Sequence, residues 1–216
     1  MESLLAALPV LGQGFLVTLQ IVVVSSVGAL LLGTGLGMAR VSPYSSLRRI
    51  SLVYVTIIRN VPAVLVFFFA VFILPQMGIR FSYFWLGFIA LSAYFAVFTS
   101  EAIMSGFQSV QTGQIEAARA LGMADKHTMN KIILPQAIRS VVPPLTVVIV
   151  QLVKVSAIAG AFGVAELFMQ LGTSINEHPS IVIPLLLLAS AFYLLITIPL
   201  GRSAAFLESK LKVAHR

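Results

Sequence analysis

Five long apolar runs set the strongest limit on what this chain can fold into. A helix needs about 20 apolar residues to cross the hydrocarbon core of a bilayer. Runs of that length lie at roughly 14–39, 51–74, 82–105, 142–163 and 181–201. The chain is only 10% charged, whereas soluble domains carry about a quarter charged residues. The sequence therefore predicts an all-α integral membrane protein in which residues 1–216 form a single transmembrane domain of five helices.

The positions of lysine and arginine predict how these spans are oriented. Basic residues collect in the connection between spans one and two, in the connection between spans three and four, and in the C-terminal tail. They are Arg40, Arg48, Arg49, Arg119, Lys126, Lys131, Arg139, Arg202, Lys210, Lys212 and Arg216. The opposite side carries Arg80 alone. Since cytoplasmic connections are enriched in these residues, we expect the C-terminus in the cytoplasm and the N-terminus outside.

Several classes of function are excluded or disfavoured by what the sequence lacks. With no cysteine, the chain has no disulfide, thiolate metal site or cysteine nucleophile, and its three histidines have no metal-ligand spacing. The net charge of +7 follows from the connections and does not indicate a nucleic-acid partner. No G-x-x-x-x-G-K-[ST] phosphate loop is present, so the chain cannot hydrolyse ATP by that route. No catalytic grouping of side chains is evident, and we do not expect an enzyme.

One polar insert, residues 109–139, interrupts the apolar pattern between spans three and four. Its segment IEAARAL is rich in helix formers, and Gly122 follows as a helix stop. A second amphipathic run, ADKHTMNKIIL, ends before Pro135, which disfavours a helix interior. We expect two short cytoplasmic helices separated at Gly122, the second lying near the membrane surface. Periodicity alone leaves open whether the insert is an interfacial linker or a helix that docks into a groove on a partner.

The insert resembles the EAA motif of bacterial ABC importer permeases, which reads E-A-A, three residues, Gly, nine residues, then I-x-L-P. In that family the segment is a coupling helix that docks on a separate ATPase subunit. The positions that the resemblance assigns to this role are Glu116, Ala117, Ala118, Arg119, Leu121, Gly122, Ile132, Leu134 and Pro135. The resemblance implies a type I importer permease fold, with five spans and a cytoplasmic coupling helix between spans three and four. It also implies that ATP and Mg bind to the partner ATPase, with no cofactor on this chain.

Other segments are most similar to the polar amino acid permeases of the histidine, glutamate and glutamine type. These segments are TLQIVVVS, TSEAIMSGFQSV and KVSAIAGAFGVAEL, and the loop containing Gly160, Gly163 and Glu166 resembles the family's external gate region. The implied partners are two ATPase subunits, a second permease subunit, identical or homologous, and an extracytoplasmic amino acid-binding protein. The implied location is the bacterial inner membrane.

Three charged residues, Arg59, Glu101 and Lys154, lie within or near the ends of spans. A charge at mid-bilayer costs about 2.5–3.5 kcal/mol even on lenient scales, so such residues usually face the protein interior. We expect Lys154, with Ser156, to line the substrate pathway and attract a carboxylate. Arg59 and Glu101 either form a structural ion pair, which we favour, or also line the pathway.

Because no acidic residue lies at a clear mid-span position, the sequence favours an acidic or neutral amino acid such as glutamate or glutamine as substrate. The alternative is a secondary transporter or channel driven by an ion gradient. That class usually requires intramembrane acids or inverted repeats, and neither is convincing here.

Overall fold

The computed structural model describes residues 2–211, which are helical with short connections and no strand. The helices are α1 (Glu2–Arg40), α2 (Ser45–Asn60), α3 (Ala63–Phe68), α4 (Leu74–Gln76), α5 (Tyr83–Gln108), α6 (Thr112–Ala120), α7 (Asp125–Thr128), α8 (Leu134–Ala161), α9 (Leu167–Glu177) and α10 (Val182–Leu211). Five-residue π-turns lie at Phe69–Ile73 and Met129–Ile133, and a 3₁₀ turn at Pro179–Ile181. The all-α fold predicted from the sequence is confirmed.

Four helical stretches among the described residues are long and apolar enough to cross a membrane. They are Ser3–Arg40, Tyr83–Gln108, Asp125–Ala161 and Pro179–Lys210, and they coincide with predicted spans one, three, four and five. The first helix begins earlier than the predicted residue 14, because Ala7 and Leu11 are buried against α9 and α10 and extend its packed surface. A fifth span is present if α2 and the segment 63–76 count as one.

The second predicted span, 51–74, is broken, because the chain bends by 111° between α2 and the segment that follows. Val61, at the break, has an extended backbone with φ −96° and ψ 134°. Its position before Pro62 explains this conformation, since the proline ring disfavours the helical region for the preceding residue. Pro62 also has no N–H to continue the helix. The helix is therefore interrupted at Pro62.

Each π-turn precedes the same tripeptide, Leu-Pro-Gln, at 74–76 and at 134–136. The amide of Leu74 bonds to the carbonyl of Phe69, and that of Leu134 to Met129, five residues back in both cases. A proline in a regular helix collides with the carbonyl four residues earlier, and a π-turn is one way to relieve that collision. The predicted separate helix ending at Pro135 is thus wrong, since the helix continues through Pro135 into α8.

The packed centre of the fold lies around α5, the most deeply buried of the long helices. Small residues let α1 approach it closely: a Cβ added at Gly33 would lie 2.5 Å from Thr99 Cβ, and one at Gly28 would collide with Ser92. Phe95, on α5, is 1% exposed at the core of this contact. Close approach through small residues is how helices pack in lipid, where apolar burial alone gives little preference.

Candidate functional site

The predicted end of the first cytoplasmic helix at Gly122 is confirmed by the backbone geometry. Helix α6 ends at Ala120, and Gly122 has φ +73°. The amide of Gly122 bonds to Arg119 O at 2.9 Å, and that of Met123 to Ala118 O at 3.0 Å. These two bonds form a Schellman motif, in which glycine supplies the left-handed residue at little steric cost. Helix α6 is thereby terminated shortly after E-A-A.

The side chains of the E-A-A segment divide into one buried anchor and an exposed surface. Ala118 is 2% exposed and faces the rest of the chain, whereas Glu116 and Ala117 are exposed. Leu121, at the turn, is 81% exposed, the largest exposure given for a big apolar side chain among the described residues. Arg119 lies 3.8 Å from Asp125 in an exposed ion pair, which contributes little to stability. An exposed leucine at a fixed turn is the kind of apolar anchor that a partner groove accepts.

A hydrogen bond between two glutamines joins α6 to the start of α8. Gln136 Nε2 donates to Gln114 Oε1 at 2.5 Å and to the carbonyl of Ile132 at 2.8 Å. Ile132 and Leu134, from the I-x-L-P part of the motif, are partly buried beside it, and Pro135 is exposed. The sequence analysis missed both glutamines, although Gln136 follows the motif directly. A movement of α6 would be passed to α8 through this link and the packing of Ala118.

The ion pair favoured for Arg59 and Glu101 is confirmed. Arg59 Nη1 donates to Glu101 Oε1 at 2.6 Å and joins the last turn of α2 to α5. The two side chains are 54% and 31% exposed. Each of these two charges therefore has a partner of opposite sign.

Lys154 lies on a face of α8 that the other described residues leave exposed. Val147 and Gln151, which share that face at helical spacing, are also exposed. Within residues 2–211 no ion-pair partner contacts Lys154. The expectation that Ser156 lines the same pathway is wrong for this structure. Ser156 is fully buried and donates to Val153 O at 2.8 Å, because two residues along a helix turn it by about 200°.

A second polar site joins the end of α8 and the start of α9 to α1 and α10, and we call it the outer junction (Thr18, Gly160, Glu166, Met169 and Tyr193). Glu166 is 0% exposed. Its Oε1 accepts from the Met169 amide at 3.0 Å, and its Oε2 accepts from Tyr193 at 3.0 Å and Thr18 at 3.2 Å. Burial raises the pKa of Glu166, and these hydrogen bonds partly oppose that rise. The sequence places Glu166 in a loop and gives no sign of this burial, since its partners lie far away in the chain.

Comparison with known proteins identifies the group to which this arrangement belongs. Residues 29–213 match the family described as "Binding-protein-dependent transport system inner membrane component". The chain belongs to this family. Components of this kind are translocation subunits of multi-pass inner-membrane ABC importers, which work with separate ATPase subunits and a substrate-binding protein.

Individual relatives cover almost the full length of the chain. It is 37% identical to the probable glutamine ABC transporter permease protein GlnM of Bacillus subtilis, over 94% of each chain. It is 33% identical to the glutamate transport system permease protein GluC of Corynebacterium efficiens, over 95% of each. A crystal structure of an amino acid ABC transporter with histidines superimposes with a TM-score of 0.90 at 26% identity, over 97% of each chain. The family, the fold and the transport role predicted from the EAA motif are therefore confirmed.

Proposed function

We propose that this chain is the permease subunit of an ATP-driven importer of polar amino acids, with glutamate, glutamine or a similar acidic or neutral amino acid as substrate. The observation that carries this proposal is the E-A-A helix, which ends at Ala120 before the left-handed Gly122 and leaves Leu121 81% exposed. The relatives named for glutamine and glutamate support the substrate class. The solved transporter with histidines shows that a basic amino acid also occurs with this fold, so the substrate needs a direct test.

The energy for transport comes from ATP bound with Mg on two separate ATPase subunits, and this chain itself is no enzyme and binds no cofactor. The absence of a phosphate loop from the sequence supports this division of labour. The ATPase groove would receive Leu121 and the exposed side of α6. Movement of that helix reaches α8 through Gln114 and Gln136, which hydrogen-bond across the two helices.

A second permease subunit, identical or homologous, completes the substrate pathway against α8. Lys154 supports this proposal, because it is exposed on a membrane-spanning helix and no described residue pairs with it. A lysine facing lipid at mid-bilayer would cost about 2.5–3.5 kcal/mol, whereas a polar pathway between two subunits would hydrate it. In that pathway Lys154 attracts the substrate carboxylate. Lys and Arg positions support a cytoplasmic C-terminus and an external N-terminus, so the binding protein approaches the side of the outer junction.

The docking proposal is tested by co-purification of the ATPase with the Leu121→Asp variant. A buried carboxylate in an apolar groove is strongly disfavoured, so we expect the ATPase and ATP-dependent uptake to be lost. The matched control is Val41→Asp, since Val41 is a 64% exposed apolar residue in another predicted cytoplasmic connection. Normal ATPase recovery with Leu121→Asp would contradict the coupling assignment.

The energy source and substrate are tested with the same complex in lipid vesicles. We expect glutamate or glutamine uptake that requires ATP and persists without any ion gradient. Lys154→Gln should weaken glutamate uptake more than glutamine uptake. Only glutamate has a side-chain carboxylate, which would lose its interaction with the Lys154 ammonium group. Uptake of arginine with the affinity of glutamate would contradict the substrate class, and gradient-driven uptake without ATP would support a secondary transporter.

A further inference from the structure

Helix α9 is fixed to the outer ends of α1 and α10 by an apolar contact. Leu167 is 0% exposed and Leu171 7% exposed on its inner face. They pack in one cluster with Leu11 of α1 and Leu185 of α10, both 0% exposed. A helix held only at a loop would expose this face, so α9 is an integral part of the outer end of the bundle.

The outer junction adds a polar connection at the first turn of α9. The amide of Leu167 donates to Thr18 Oγ1 at 3.1 Å, and the amide of Met169 donates to Glu166 Oε1 at 3.0 Å. The hydroxyl of Tyr193 completes the site at Glu166 Oε2. One carboxylate thus links the start of α9 to α1 and α10, and it satisfies a helix amide that would otherwise lack a partner.

Gly160 brings the end of α8 into the same junction. A Cβ added at this position would collide with Glu166 Oε1 and would lie 2.9 Å from the Met169 amide nitrogen. Glycine is therefore required for α8 to pass beside the carboxylate. Among the described residues the hydrogen-bond partners of Glu166 include no Lys, Arg or His, and Tyr193 is the titratable group that contacts it.

We propose that Glu166 is a positioning residue for transport, which fixes α9 to α1, α8 and α10 so that these outer segments move as one body during alternating access. Separating α9 would break both the apolar cluster and the hydrogen bonds to a carboxylate that has no exposed surface. The outward opening must therefore occur between other elements. This inference rests on the proposed transport function, and it predicts that α9 stays in contact with α1 throughout the cycle.

The absence of cysteine from the sequence allows a direct crosslinking test. A Cβ added at Gly14 of α1 would lie 3.1 Å from Gln170 Cβ of α9. Disulfides need roughly 3.5–4.5 Å, so small shifts would bring Gly14→Cys and Gln170→Cys into bonding range. We expect the oxidised double variant, in the assembled transporter, to take up substrate as fast as the same sample after reduction. Loss of uptake on oxidation, restored by reduction, would show that α9 must separate and would overturn the proposal.

Variants of Glu166 test its positioning role independently of the crosslink. Glu166→Gln preserves the shape of the side chain. Its amide oxygen can accept from the Met169 N–H, and its NH2 group can donate to the Tyr193 and Thr18 hydroxyls in place of accepting from them, so we expect uptake per ATP hydrolysed within about twofold of wild type. Glu166→Ala removes the connection, and we expect that ratio to fall by about tenfold or more in the folded complex. A ratio unchanged in Glu166→Ala would overturn the proposal, since a purely structural role lowers only the amount of folded complex. Tyr193→Phe provides a milder break if Glu166→Ala does not fold, with an intermediate ratio expected and an unchanged one counting against the proposal.

The single-cysteine variants Gly14→Cys and Gln170→Cys control for the substitutions themselves. Failure of this inference is distinguishable from failure of the proposed function. If the wild-type complex shows no ATP-dependent uptake, the transport function is wrong. If wild type transports and only the oxidised double variant stops, then only the fixed position of α9 is wrong.

Discussion

Glu166 carries a carboxyl group with no exposed surface, held by Thr18, Tyr193 and the Met169 amide. Burial raises its pKa above the ordinary value of 4.5, so the folded state binds a proton more tightly than the unfolded state. Stability from this group is therefore fully present below the unfolded pKa and is lost as pH rises through the folded pKa. We expect the melting temperature of wild type to fall with rising pH above 4.5, and Glu166→Gln to lack this component.

The matched control for that titration is Glu177→Gln, since Glu177 ends the same helix and is exposed. Its melting temperature is measured over the same pH range as those of wild type and Glu166→Gln. If Glu166→Gln keeps the wild-type dependence of melting temperature on pH, the titration of Glu166 does not contribute to the stability of the fold.

The contribution of the Arg59–Glu101 ion pair to stability depends on the exposure of the two side chains as well as on their distance. The two atoms are 2.6 Å apart, yet the side chains are 54% and 31% exposed. Exposed pairs contribute about 0.2–1 kcal/mol, so a double-mutant cycle of Arg59→Gln and Glu101→Gln should give a coupling energy in that range. The cycle is measured from unfolding of the purified transporter. A coupling energy well above the range, or a changed substrate affinity in either single variant, would instead indicate a role in the pathway.

Helix α6 depends on a glycine whose importance is purely conformational. At Gly122, with φ +73°, a Cβ would meet nothing within 4 Å, so a substitution is penalised by the backbone alone. A left-handed residue other than glycine costs about 1–2 kcal/mol, and we expect Gly122→Ala to fray the helix end and lower ATP-dependent uptake. Gly113→Ala is the matched control, because Gly113 lies within α6, is equally open and has no positive φ. It should stabilise α6 by about 0.5–1 kcal/mol and preserve uptake.

Some helices and helix ends can be predicted from the sequence alone, and others cannot. Four long spans follow from apolar length, and the end of α6 follows from Gly122, because both depend on local composition. The π-turns do not follow from the sequence: a proline at 135 favours a break on local grounds, whereas the helix continues through Pro135 into α8. The position of the break at Pro62 follows from the proline itself, but the sequence does not fix the 111° angle of the bend. The local sequence thus indicates where a helix can break, but it does not determine whether the helix continues or by what angle it bends.

At the scale of the whole molecule, some site residues can be predicted from the sequence, and others depend on contacts between distant helices. The EAA positions were identifiable because their spacing along the chain is fixed. The Arg59–Glu101 pair was identifiable because two opposite charges in an apolar region have few alternatives. The environment of Glu166 could not be predicted from the sequence, since its partners Thr18 and Tyr193 lie 148 and 27 residues away along the chain. Such contacts arise only when all the long helices have packed.

The orientation of the whole molecule is the remaining sequence prediction that a simple labelling experiment can decide. Basic connections predict that α6 lies in the cytoplasm and that the end of α9 faces outside. Gly113 and Glu177 are both exposed, and the chain has no cysteine of its own, so Gly113→Cys and Glu177→Cys give single reporters. In sealed cells, a membrane-impermeant maleimide should label Glu177→Cys at once and Gly113→Cys only after permeabilisation. The cysteine-free wild type is the control for background, and the opposite labelling pattern would place the ATPase-docking helix on the wrong side for ATP-driven import.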